Sequence, residues 1–157
     1  MDISSVKQVL RAMPFDNPII LRSNYGAGKS LMLRQAASEQ GIGFFDIRLS
    51  QLDFHHIYGE KTFDPTSGII TTLKPHWWPR DPNSSGILFF DELNRASKEV
   101  LRVVYQVCLH RRLDGERLPD GWRVVAGVSP IDNYEIVEFD YVALLDRSYV
   151  IDFNPTL

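Results

Sequence analysis

Five short apolar runs punctuate this chain, at Ile19–Arg22 and at residues 44–49, 87–90, 123–128 and 149–153, and helix-length segments lie between most of them. A strand covered on one face alternates apolar and polar residues. A run such as Ile87-Leu88-Phe89-Phe90 does not alternate, so it has two faces to bury. Strands of that kind, interleaved with helices, belong to a parallel sheet lying between two helical layers. The spacing therefore predicts a three-layer α/β domain.

With 157 residues, of which 44% are hydrophobic, the chain can build a sizeable core, and one domain spanning 1–157 is expected. Residues 3–13 place Ile3, Val6, Leu10 and Met13 at helical spacing behind Asp2, so a leading helix is predicted within 1–14, stopped by Pro14 and Pro18. The clearest helix is predicted over 97–112, with Ser97 as its cap and a stripe of Val100, Val103, Val104, Val107 and Cys108 facing the core. Residues 53–83 are the least regular, and their turn sequence Asp64-Pro65-Thr66-Ser67-Gly68 predicts an inserted hairpin. Asp114-Gly115 predicts a second hairpin within 113–122, just before the fourth strand.

Several classes are disfavoured. A net charge of −3 gives no broad basic surface, so nucleic acid is not an expected partner. The single Cys108 cannot form an internal disulfide, no apolar run approaches the roughly 18 residues of a membrane span, and the first residues lack a signal-peptide pattern. A reducing, cytoplasmic setting without a membrane partner is expected. His55, His56 and His76 have no cysteine or second spaced pair beside them and are read as loop histidines, not zinc ligands. Arg111-Arg112 is read as a solvated helix end. Trp77-Trp78 with Arg80, and Tyr58-Gly59, suit either gripping a polypeptide or packing beneath the inserted hairpin.

Two segments carry chemistry. Ser23-Asn24-Tyr25-Gly26-Ala27-Gly28-Lys29-Ser30 follows the first strand and opens a helix at Leu31. A glycine-bearing loop at a helix N-terminus turns backbone N–H groups toward phosphate oxygens, a lysine reaches the outer phosphates, and a hydroxyl serves Mg²⁺. Asn24, Tyr25, Gly26, Ala27, Gly28, Lys29, Ser30 and Leu31 are thus the candidate nucleotide-binding residues. The usual pattern begins with glycine where Ser23 stands; a serine forced into an unusual backbone region there would cost about 1–3 kcal/mol. The second segment is the run 87–90 followed by Asp91-Glu92, which puts two carboxylates at the C-terminal end of a buried strand, the edge where open α/β sheets bind ligands. Asp91 is the candidate to hold Mg²⁺ with Ser30, and Glu92 the candidate to polarise the attacking water.

Together these motifs resemble the core of an AAA+ ATPase, and Asp91-Glu92-Leu93-Asn94-Arg95-Ala96 is similar to the MoxR-like branch. The likeness extends to residues 46–53, to Arg112-Leu113 and to 118–126, and covers nearly all of 18–153. The resemblance implies a P-loop fold with a five-stranded parallel sheet in the order 5-1-4-3-2 and inserted β-hairpins near the second helix and before strand 4. It implies binding of ATP and ADP, Mg²⁺-dependent hydrolysis, and assembly into a homo-oligomeric, hexameric ring that remodels a protein partner, by analogy one bearing a von Willebrand factor A-like domain. It carries catalytic roles to Ser129, where the family has a phosphate-sensing asparagine, and to Arg147, as the finger offered to a neighbouring subunit; Arg95 is a second candidate for subunit contact. The family's helical lid is expected to be absent, since the chain stops soon after the fifth strand. That absence, with Ser23 and Ser129, motivates an alternative: a nucleotide-binding structural or regulatory subunit with little turnover.

Overall fold

A computed structural model describes residues 1–24, 26–129 and 138–155, with 138–140 described by backbone alone. In chain order the elements are α1 (Ile3–Ala12), β1 (Ile19–Arg22), α2 (Lys29–Gln40), β2 (Gly43–Arg48), α3 (Phe54–Tyr58), β3 (Glu60–Asp64), β4 (Ile69–Leu73), β5 (Ser85–Asp91), α4 (Lys98–His110), β6 (Arg112–Leu113), β7 (Glu116–Arg117), β8 (Gly121–Val128), α5 (Glu138–Asp146) and β9 (Tyr149–Asp152). Five strands form one sheet in the order β2-β5-β8-β1-β9, and every neighbouring pair is parallel. Counting only this sheet's strands, the order from the β9 edge is 5-1-4-3-2; the labels run higher because β3–β4 and β6–β7 are separate antiparallel hairpins.

The apolar runs are continuous because successive residues feed opposite layers. Ile20, Leu88, Phe90, Val124 and Ala126 pack with Val100, Val104 and Val107 of α4 on one face. Ile19, Leu21, Ile87, Phe89 and Val125 pack with Val6 and Leu10 of α1 and Met32, Leu33 and Ala36 of α2 on the other. Phe89 and Phe90 are both completely buried on opposite faces, and each such side chain contributes about 1.5–3 kcal/mol by leaving water. The caps follow the sequence: the Asp2 carboxylate accepts from Ser5 N at 2.8 Å, and the Ser97 hydroxyl accepts from Val100 N at 3.3 Å.

Boundaries moved where a turn intervened. Residue 49 does not extend β2; Leu49 starts a 3₁₀ turn closed by Leu52 N donating to Leu49 O at 3.3 Å. The helix expected over 97–112 ends at His110, because Arg111 takes the left-handed region at φ 53° and turns the chain into β6. Arg111 is also not a solvated helix end. It is 7% exposed, and its guanidinium donates to Phe15 O, Pro119 O and Trp122 O at 3.0, 3.0 and 2.8 Å. Arg123 is buried on β8 beside it, 4.3 Å from the centre of the Phe15 ring, and donates to Pro14 O at 3.2 Å and to Met13 O. Burial lowers its pKa to about 10, so it stays charged at neutral pH. These two cations anchor the segment between α1 and β1 to the base of the sheet.

Both predicted hairpins are present. β3 and β4 pair across the turn after Asp64, whose carboxylate accepts from Thr66 N at 2.9 Å and from the Ser67 hydroxyl at 2.9 Å. Trp77 and Trp78 are 1% and 2% exposed and pack beneath the inserted region, with Trp77 edge-on to Phe90 at 5.5 Å and its Nε1 donating to His56 O at 3.3 Å. Packing therefore accounts for them within this chain. Cys108 is buried in the α4 layer, as its stripe implied. No helix among the described residues is long and apolar enough to cross a membrane.

Candidate functional site

In a parallel sheet all strands deliver their C-terminal ends to one edge, and here four of those ends surround one cleft. The registers Arg22↔Val128 and Arg48↔Asp91 align the exits of β1, β8, β2 and β5. The cleft has a volume of about 450 Å³. The β1–α2 loop supplies Gly26, Ala27 and Gly28, and the first turn of α2 supplies Lys29, Ser30 and Leu31; β5 and the turn after it supply Asp91, Glu92 and Asn94; Ser129 follows β8; α2 and β2 add Arg34 and Arg48. A cavity of about 490 Å³ under the inserted region shares Arg48 with the cleft but contains none of the loop or acid-pair residues, so the chemistry lies in the smaller space.

The loop is built for close approach of a ligand. Gly26 and Gly28 stand at φ 71° and 82°, a region costly for other residues, and Gly28 caps α2 without a side chain in the way. No atom lies within 4 Å of where a Cβ on either glycine would sit, so the hollow is open. Ser23 is not strained: positive φ among described non-glycine residues is confined to Glu92, Arg111 and Asp114. Ser23 instead extends the β1 ladder, with its N–H donating to Val128 O at 3.1 Å. Its hydroxyl accepts from Lys29 Nζ at 2.8 Å, which parks the lysine at the loop's root. Burial lowers the Lys29 pKa, while the charges of Asp91 and Glu92 oppose that shift.

Asp91 is held behind the loop. Burial raises its pKa; the bond from Glu92 N to its Oδ1 at 2.8 Å and the charge of Lys29 pull the other way, and Asp46 and Glu92 add to the rise. Gly127 makes room for it: a Cβ there would lie 2.6 Å from Asp91 Oδ1. Glu92 occupies the left-handed region at φ 59°, ψ 45°, a conformation that costs a non-glycine residue about 1–3 kcal/mol. The sharp turn swings its carboxylate into the cleft, where the Ser50 hydroxyl donates to it.

Asn94 is 6% exposed and joins this turn to the end of β8: its Nδ2 donates to Ser129 O at 3.1 Å, and its Oδ1 accepts from Ser129 N at 3.5 Å. The Ser129 hydroxyl itself is buried and finds no hydrogen-bond partner among the described residues. Ser30 donates its hydroxyl proton to Asp46 on β2.

Of the candidates read from sequence, Gly26 to Leu31, Asp91, Glu92 and Ser129 meet in the cleft. Asn24 is exposed beside the loop but does not line it. Tyr25 lies outside the described residues. Arg147 is exposed and sits at the opposite edge of the sheet, just before β9, where its carbonyl accepts from Asn17 Nδ2 at 3.0 Å. It is remote from its own chain's cleft. Asp46, Arg48, Ser50 and Asn94 were not assigned roles from sequence; Asp46 and Ser50 enter because β2 runs beside β5, a long-range fact that local spacing does not carry. No group of three or more His, Cys, Asp or Glu among the described residues could hold a metal ion alone. Ser30 and Asp91 are the residues that would hold a divalent ion beside a bound phosphate, and the open glycine hollow, the lysine and the acid pair fit such a ligand.

The fold and site together define a three-layer α/β domain with a glycine-bearing loop at the N-terminus of α2. A solved structure from Cytophaga hutchinsonii, described as that of a candidate ATPase, superposes with a TM-score of 0.68 at 18% identity, covering 98% of this chain and 46% of that one. The structure of NtrX from Brucella abortus superposes with a TM-score of 0.60 at 18% identity, covering 100% of this chain and 37% of that one. At this identity the likeness is one of fold alone, and the chain spans less than half the length of either structure. The sequence matches no protein-family model and no curated protein.

Proposed function

We propose that this domain binds ATP with Mg²⁺ and hydrolyses it, as a MoxR-like AAA+ module that works in a homo-oligomeric ring to remodel a protein partner. One observation carries the reading: Lys29 and Ser30 from the start of α2, and Asp91 and Glu92 from the end of β5 and the turn after it, line the same cleft at the C-terminal edge of the sheet. Bound Mg²⁺ would neutralise phosphate charge and hold the outer phosphates in line for attack. The loop N–H groups and Lys29 bind and orient the phosphates, which requires Lys29 to exchange Ser23 for a phosphate oxygen. Ser30 and Asp91 hold the metal. Glu92, freed from Ser50, orients the attacking water, and the strained turn beneath it is consistent with that task.

Arg147 lies away from its own cleft and is suited to a neighbour's; charge neutralisation of that type is worth about 10³–10⁵ in rate in other nucleotide hydrolases. The ring, a partner with a von Willebrand factor A-like domain, and a cytoplasmic setting rest on the motif resemblance. A second reading, a subunit that binds ATP but turns it over little, is favoured by Ser129, whose short hydroxyl has no partner among the described residues and stands where the resemblance calls for an asparagine.

Phosphate release by wild type and Glu92→Gln across protein concentration separates the two. The ATPase reading expects turnover that rises with assembly and is nearly abolished in the variant while ATP binding persists. Equal rates in both proteins sink it, and Lys29-dependent binding without turnover at any concentration favours the second reading.

A further inference from the structure

β2 is an outer strand of the sheet, yet it places a carboxylate against the Ser30 hydroxyl where the glycine-bearing loop enters α2. A serine hydroxyl has one proton and two lone pairs. In a site where Ser30 serves as a metal ligand, the proton must point away from the ion, since only a lone pair can bind it. Asp46 Oδ2 takes that proton from the side of the loop facing β2. The register sets the geometry: Asp46 pairs with Phe89 and Arg48 with Asp91, so Asp46 stands two residues behind the level of Asp91, beside the loop and clear of the phosphate hollow. It is not among the residues lining the cleft. Asp91, meanwhile, accepts from Glu92 N at 2.8 Å through Oδ1, while the Ser30 hydroxyl donates to Asp46.

We infer that Asp46 is a positioning residue for the metal: by accepting the Ser30 proton it fixes that hydroxyl with its lone pairs toward the cleft. The inference rests on the Mg²⁺–nucleotide reading of the same cleft. Outer partners that orient a metal ligand typically govern about 10–100-fold in metal affinity. The orienting role is one of hydrogen bonding, which an amide oxygen can serve by accepting the same proton.

The test is Mn²⁺ affinity measured by electron paramagnetic resonance in the presence of ADP, for wild type, Ser30→Ala, Asp46→Ala and Asp46→Asn, alongside ADP affinity in excess chelator. The expected result is that Asp46→Ala weakens Mn²⁺ by about tenfold or more, approaching Ser30→Ala, while Asp46→Asn stays within about threefold of wild type. ADP affinity without metal should be alike for wild type and both Asp46 variants, which also reports that they fold. If Ser30→Ala weakens Mn²⁺ and Asp46→Ala does not, the inference falls and the metal site stands. If Asp46→Asn loses as much as Asp46→Ala, Asp46 acts through charge and the orienting role is wrong. Failure of wild type to bind ADP and Mn²⁺ at all overturns the functional reading and this inference together.

Discussion

Replacing Gly127 by alanine should damage both the sheet and the cleft, by amounts that the geometry bounds. The new Cβ would stand 2.6 Å from Asp91 Oδ1 and 3.0 and 3.1 Å from two carbons of the buried Phe89 ring. Comfortable non-bonded separations are about 3.5 Å or more, so the Asp91 carboxylate must retreat by roughly an ångström, and Phe89 has no free space to yield. Overpacking of this kind costs about 1–3 kcal/mol. With a urea dependence of about 1–3 kcal/mol per molar, the unfolding midpoint should fall by about 1 M, followed through the fluorescence of the buried Trp77, Trp78 and Trp122. Gly121→Ala provides a control away from the cleft. Its Cβ would meet Ser84 O at 2.7 Å, so it should also destabilise, yet leave Mn²⁺–ADP affinity as in wild type, whereas Gly127→Ala should weaken it about tenfold by displacing Asp91. A Gly127→Ala protein with an unchanged midpoint and unchanged Mn²⁺ affinity would refute the claim that this glycine is kept for Asp91.

Arg123→Ala removes the cation from Phe15 and leaves the Met13 and Pro14 carbonyls without their donor, so it should cost about 1–3 kcal/mol in urea unfolding; a neutral result would mean water serves those carbonyls equally well. Burial pushes the Cys108 thiol up to about 12, so at pH 8 it should react with a disulfide reagent only at the rate of unfolding, and rapid labelling of native protein would contradict its place in the α4 layer.

The sheet was legible because the local pattern and the tertiary arrangement agree. Ile87-Leu88-Phe89-Phe90 reads as a strand buried on both faces, and in the fold its residues divide alternately between the two helical layers. Asp2, Ser97 and the Asp64–Gly68 turn act through neighbours a few residues away, so they were readable too. Arg111 and Arg123 were not, since nothing local says that a cation will be desolvated among carbonyls contributed by residues 13–15. The same limit hid several hydrogen-bond partners of the cleft residues. Lys29, Ser30, Asp91 and Glu92 announce themselves by motif, but Asp46, Ser50 and Asn94 reach them only through strand order and the turn after β5. Ser23 shows the reverse error: a substitution read as strained proves to continue the β1 ladder and to hold Lys29.

The central claim is that the cleft between the β1–α2 loop and the end of β5 is a Mg²⁺–ATP site, and isothermal titration of MgATP into wild type and Lys29→Ala tests it most directly. The account predicts saturable binding by wild type and a loss of at least about tenfold in affinity for the variant, since Lys29 is the half-buried cation proposed to meet the outer phosphates. Equal affinity of the two proteins, or no binding by wild type, would contradict it.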